Sequence, residues 1–247
     1  MIAAVIQSRM GSTRLPGKTM LPLCEMPLLQ HVVLRAKACR RVDEVIIATT
    51  LGEEDNIIAD WATENGVLCV RGSKTNLIER FYEVSKLKQP EYFVRITADD
   101  PFKDPDLIDK GIEIIRSKNL DFVYNNRPPS FPEGLDVEVF TAQALRIALN
   151  EVDNDFDREH LTQFFYRNKN RFKQLNFRNS SDLSHLRWTI DTIKDFEMVS
   201  KVYQKLYKPN EIFLMKDILN LLSQNSEIEK INMYEQRSAM YESNILP

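Results

Sequence analysis

The sequence predicts an α/β protein, a three-layer Rossmann-like fold with a mostly parallel sheet covered by helices on both faces. Short apolar runs recur at residues 2–6, 44–50, 67–70, 92–97 and 121–124. Between them lie segments with apolar residues at helical spacing. The runs are nearly continuous in Val, Ile, Ala and Phe rather than alternating, as in strands buried on both faces. At 247 residues and 43% apolar content, one large domain with an adequate core is expected.

The elements follow in order. Residues 2–6 are the first strand. Over 27–42, Leu28, Val32, Val33 and Ala36 share a face, and Arg35, Lys37, Arg40 and Arg41 come late, where a helix dipole favours cations. The β-branched run 44–50 is the second strand, and the helix over 53–65 stops at Gly66. Strand 67–70 precedes a helix over 76–88 carried by Leu77, Phe81 and Val84. Strand 92–97, helix 105–119 and strand 121–124 complete the regular alternation.

From residue 125 the pattern changes. Pro128, Pro129 and Pro132 mark a loop. Residues 134–140 alternate polar with apolar, as a strand with one wetted face does. Thr141 is placed to cap a helix reaching 152, and Asp157 another reaching 172. Residues 173–177 and 186–190 are further strand candidates, and 194–207 and 215–224 are helical. The reading is a single domain over 1–247 with an inserted lobe at 125–180. Residues 226–247 are polar, either a frayed tail or an arm across a partner subunit.

A net charge of −3 without a long basic stripe argues against nucleic-acid binding. No apolar run is long enough to cross a bilayer, and residues 1–6 are too short for a signal peptide. The three cysteines, Cys24, Cys39 and Cys69, lack C-x-x-C spacing and read as reduced. A cytoplasmic enzyme is expected.

Residues 7–19, QSRMGSTRLPGKT, ask for a chemical explanation. They hold Arg9, Arg14 and Lys18 and no acid, and the first carboxylate of the chain is Glu25. Ser8, Gly11, Ser12 and Thr13 form a Gly/hydroxyl loop at a strand's carboxyl end, a place that offers backbone N–H groups to an anion. The expected guest is a polyphosphate. Five residues separate Gly11 from Gly17 and Pro16 removes an N–H, so the loop is not a P-loop. The plainer alternative is a cationic connection between strand and helix.

Asp99 follows the fourth strand, where Pro101 sets a turn, and Asp191 leaves the apolar run at 186–190. Carboxylates at adjacent strand ends facing a cationic loop are the parts of a Mg²⁺ site, since that ion takes a few carboxylates together with phosphate oxygens and water. Glu133, Asp136 and Glu138 flank or alternate along one strand, and Arg158, Glu159 and His160 open a helix. These are candidates to orient a polyhydroxylated acceptor, the alternative being a solvated strand face and an ordinary charged first turn. Neither His31 nor His185 has a partner at zinc-ligand spacing.

The segment from Arg9 to Lys18 resembles the signature loop of the CTP-using sugar-acid cytidylyltransferases, the CMP-Kdo and acylneuraminate synthetase superfamily. The blocks RITADDP (95–101), GLDVEVF (134–140), REHLT (158–162) and RWTID (187–191) are most similar to its spore-coat polysaccharide branch, in matching order over about residues 1–205. The resemblance implies CTP as nucleotide, a sugar or sugar-acid acceptor, pyrophosphate release and a homodimer formed through 125–180. It assigns Arg9, Arg14 and Lys18 to catalysis on the triphosphate, with Ser8, Gly11, Ser12, Thr13, Arg71 and Thr97 on the nucleotide. Asp99 and Asp191 would hold Mg²⁺, and Glu133, Asp136, Glu138, Arg158, Glu159, His160 and Arg187 would face the acceptor. Where the Kdo-activating enzymes carry a cytosine-reading glutamine, this chain has Thr97.

Rival readings are a P-loop-like kinase, a non-catalytic nucleotide-binding subunit of a polysaccharide pathway, and a glycosyltransferase using a D-x-D motif. The last has a letter match at Asp104-Pro105-Asp106, where helix capping is the competing explanation.

Overall fold

A computed structural model describes residues 1–236. Its strands are β1 (Ile2–Gln7), β2 (Pro22–Leu23), β3 (Met26–Pro27), β4 (Glu44–Thr50), β5 (Leu68–Gly72), β6 (Tyr92–Thr97), β7 (Phe122–Tyr124), β8 (Glu138–Thr141) and β9 (Gln174–Asn176). The helices are α1 (Leu28–Lys37), α2 (Asn56–Glu64), α3 (Leu77–Lys88), α4 (Pro105–Ser117), α5 (Ala142–Glu151), α6 (Asp155–Glu159), α7 (Leu161–Arg167), α8 (Ile193–Leu206), α9 (Met215–Gln224) and α10 (Ser226–Glu229). β2 and β3 form a small hairpin; the other strands make one seven-stranded sheet in the order β5-β4-β1-β6-β8-β7-β9. β8 runs antiparallel to both its neighbours, and the remaining six strands are mutually parallel.

Two cores flank the sheet. Ala4, Ile6, Ile47, Val94 and Val139 face α1, α2, α4 and α8. Ala3, Val5, Ile46, Phe93, Phe122 and Phe140 face α3, α5 and α7. Consecutive residues of one strand thus enter opposite cores, which is why the runs are apolar throughout. Several caps match their sequence signals: Asn76 accepts from Glu79 N, Thr141 from Ala144 N, and Asp104 from Asp106 N. Asp104 also accepts from Met215 N, so the D-x-D letters serve as a helix cap.

Three expected elements differ. The strand over 134–140 shrinks to β8, because Gly134 has φ +100° and the Asn125 side chain bonds Leu135 O and Val137 N in place of a ladder. Residues 186–190 form no ladder strand; they meet the sheet side through a single parallel bridge between Glu133 and Arg187. The long helix from 157 is two short ones. Asn154, not Asp157, caps the first, and the chain leaves helical angles at His160. That break lets Leu161 and Phe165 enter the core while Glu159 stays at the surface.

Residues 125–180 contribute β8 and β9 to the main sheet, β8 lying between β6 and β7. In the segment from residue 226, α10 packs on α8 and α9 with Ile228 buried. Residues 237–247, the remainder of the expected tail or arm, lie outside the described residues. Among the described residues no helix is long and apolar enough to cross a membrane.

Candidate active site

The chain runs β1, β4, β5 to one side, then returns to place β6 on the other side of β1. Crevices form beyond the carboxyl ends of strands at such a reversal. Here it is a cavity of about 360 Å³ lined by the loop after β1, the turn after β6, and residues from 126–138, 159–166 and 189–191.

The loop is fixed at both ends. Met10 N donates to buried Asp55, and Met10 O accepts from Ser12 N and Gly17 N. Gly17 sits at φ +72°, a left-handed turn that starts the 3₁₀ turn Lys18–Met20. That turn sends Lys18 inward. Its Nζ lies 2.6 Å from Asp99 Oδ2, 2.9 Å from Asp191 Oδ1 and 2.7 Å from Ile190 O. Burial alone would lower the Lys18 pKa, but the two carboxylates outweigh it and hold it above the ordinary value.

Asp191 is the hub. Its Oδ2 takes Arg14 Nη2 at 2.8 Å and Arg187 Nη2 at 3.0 Å. Burial would raise its pKa; Lys18, Arg14 and Arg187 together pull it below the usual carboxylate range. Arg9, at the cavity mouth, pairs with Glu159 at 3.0 Å. Ser8 is buried, and its Oγ has no hydrogen-bond partner among the described residues. Gly11, Ser12 and Thr13 line the same wall, with Ser12 Oγ accepting from Leu15 N.

The other wall carries Glu133, Asp136, Glu138, Glu159 and His160. Glu138 is buried; burial would raise its pKa, yet Arg95 and the hydroxyls of Tyr166 and Thr162 hold it below the ordinary value. Tyr166 Oη also lies 2.7 Å from the Asn126 side-chain amide, and its ring lies under the Arg127 guanidinium. Burial lowers the His160 pKa below the ordinary imidazole value, against the opposing pull of Glu159. Thr97 lines the cavity floor with its hydroxyl on Asp100, whose carboxyl is raised by burial despite Lys103 beside it.

Three expected site residues lie elsewhere. Arg71 binds the carbonyls of Thr50 and Gly52 at 2.8 and 2.9 Å, bracing the turn after β4 and not lining the cavity. Arg158 faces outward and pairs with Asp155. Arg187 is buried behind the cavity wall, bridging Glu133, Asp191 and Asp195. Sequence reasoning missed Arg80 and Arg95. Arg80 lines the cavity, is buried, has its Nε unpartnered among the described residues, and is lowered to about 10, chiefly by burial. A signal was present: with Leu77, Phe81 and Val84 it shares the buried face of α3, where a cation without purpose is costly.

Among the described residues no group of three or more His, Cys, Asp or Glu converges as a metal cage. Asp99 and Asp191 nevertheless close around one cation, the Lys18 ammonium. Two carboxylates suit a small divalent ion that completes its shell with phosphate oxygens and water.

The cytidylyltransferase family model matches residues 3–245. An uncharacterized protein of Methanocaldococcus jannaschii is 36% identical over 235 residues, 94% of each chain. The spore coat polysaccharide biosynthesis protein SpsF of Bacillus subtilis is 31% identical, covering 92% of this chain and 95% of its own. A cytidylyltransferase structure from Leptospira borgpetersenii superposes with a TM-score of 0.89 at 29% identity, over 96% of this chain and 98% of that one. With a family match over nearly its whole length and the fold to go with it, the chain belongs to the cytidylyltransferase family of nucleotidyl-transferring enzymes.

Proposed function

We propose that the protein transfers the cytidylyl group of CTP to a hydroxyl of a sugar or sugar acid, releasing pyrophosphate, for surface polysaccharide synthesis. The observation that carries this is the convergence of Lys18 and Arg14 on Asp99 and Asp191 at the sheet's switch point. Arg9, Arg14 and Lys18 would take the triphosphate, which carries about four negative charges. Each unit charge within 4 Å is worth about 4 kcal/mol at an effective dielectric of 20, so three cations are the right order to neutralise the leaving pyrophosphate.

Asp99 and Asp191 would hold a divalent ion, Mg²⁺ in this reading, which when bound supplies further charge neutralisation and orients the phosphates. The chain's part is positioning: the loop fixes the phosphates, and the wall with Glu133, Asp136, Glu138, Glu159 and His160 presents hydrogen-bonding groups to an acceptor. The acceptor oxygen forms a bond to the α-phosphorus as the bond to the β-phosphate oxygen breaks.

The test is pyrophosphate release from CTP, ATP, UTP or GTP with Mg²⁺ across a panel of sugars and sugar acids. Release with CTP and one acceptor is expected; phosphate release from ATP instead would sink the reading. A homodimer formed through residues 125–180 and a cytoplasmic setting belong to the same proposal. Light scattering at micromolar concentration checks the first.

A further inference from the structure

We infer that Asn232, through the buried pair Asp195 and Arg187, is a positioning residue for Asp191 and so sets how tightly the site takes its divalent ion. The inference rests on the nucleotidyl-transfer reading above. Asn232 lies after α10, just ahead of the exposed Met233 and Tyr234, yet is itself only 3% exposed. A polar side chain drawn inward from an irregular segment is there for its hydrogen bonds. Its Nδ2 donates to Asp195 Oδ1 at 2.8 Å and to Arg187 O at 3.0 Å.

Asp195 is fully buried. Besides Asn232 it accepts from Arg187 Nε and Nη2, both at 2.9 Å, and from the backbone N–H groups of Asp191 and Thr192, both at 3.0 Å. Arg187 in turn donates to Asp191 Oδ2 and Glu133 Oε2. The backbone and one carboxylate oxygen of Asp191 are therefore both held by a single buried unit, which Asn232 reaches from the segment after α10. The other oxygen, Oδ1, faces Lys18. Outer partners of metal ligands commonly control affinity by 10–100-fold, because they set the ligand's angle and charge.

Asn232→Leu keeps the volume and removes the donors, and Asn232→Asp keeps the shape and sets a second carboxylate against Asp195. Glu235→Gln is the control: it loosens the same segment at Lys194 without touching Asp195. The full chain is titrated with Mn²⁺ in the presence of CTP, free ion being read by electron paramagnetic resonance, with thermal melts alongside. The expected result is a Mn²⁺ Kd raised about 10-fold in Asn232→Leu and more in Asn232→Asp, and within about twofold of the parent in Glu235→Gln. Where Asn232→Leu does not fold, Asn232→Ser is read in its place. A folded variant with an unchanged Kd overturns the inference, as does a control that moves equally. A parent that binds no Mn²⁺ with CTP overturns the nucleotidyl-transfer reading and this inference with it.

Discussion

Replacing Lys18 with methionine separates two roles that one ammonium performs. It joins two carboxylates, 2.6 and 2.9 Å away, in a setting where its side chain is 11% exposed. Removing one partner of a buried ion pair costs about 3–5 kcal/mol. Asp99 is 26% exposed and Asp191 retains Arg14 and Arg187, so ~2–3 kcal/mol is the expected loss. In a chain of 247 residues each kcal/mol moves Tm by about 2–4 °C, giving a fall of roughly 4–12 °C. The variant also leaves a two-carboxylate position without its internal cation. Mn²⁺ without nucleotide should then raise the variant's Tm, by about 2.7 kcal/mol of binding linkage at 100 Kd, and barely move the parent's. Scanning calorimetry with and without Mn²⁺ measures both. A variant melting within about 2 °C of the parent, or a parent that responds to Mn²⁺ alone as strongly, would refute the reasoning.

Asp99→Asn should lower CTP-dependent pyrophosphate release by at least about 100-fold while the far-ultraviolet dichroism stays the same, because the amide keeps the shape and loses the charge; near-parental turnover removes Asp99 from the metal assignment. The depressed Asp191 pKa makes its contribution to stability fully present above the unfolded value near 3.9 and lost as pH falls through the lower folded value. In thermal melts the Asp191 share of stability should therefore fall away below about pH 4, and that share should be smaller in Lys18→Met, where Asp191 has lost one of the cations that depress it. Gly134→Ala should cost about 1–3 kcal/mol in urea unfolding, since φ is +100° and a Cβ would meet Trp188 C and Thr189 N at 2.9 Å.

The parallel half of the sheet was legible because burial on both faces leaves an unmistakable apolar run, as in β1, β4 and β6. The meeting of Lys18, Asp99 and Asp191 was legible for a topological reason: groups leaving the carboxyl ends of neighbouring parallel strands share one rim. What escaped depends on side-chain partners distant in sequence. Asn125 shortens β8 by bonding backbone groups 10 and 12 residues on, which no local pattern announces. The resemblance sets Arg187 against the acceptor; that Asp195 and Glu133 enclose it instead depends on the turn into α8 and on the close backbone approach at Gly134. Arg71 failed for the same reason, its acceptors being carbonyls of another strand's exit turn.

Each loop cation has an acidic partner within the chain: Arg9 has Glu159, Arg14 has Asp191, and Lys18 has both aspartates. Binding a triphosphate is therefore an exchange of partners, and a cation that turns to phosphate leaves a carboxylate behind. For Lys18 the carboxylates left behind are the two that suit a divalent ion, so ion and nucleotide should favour each other's binding beyond their affinity in solution. Coupling between two ligands is typically 1–3 kcal/mol, or about 5–150-fold, and is reciprocal. CTP affinity measured by calorimetry in excess Mg²⁺ and in chelator gives the factor for the parent, and Lys18→Met gives the factor once the exchange has been removed. The ratio should shrink in the variant even though its CTP affinity is lower under both conditions. An undiminished ratio would mean that Lys18 and the ion do not compete for Asp99 and Asp191.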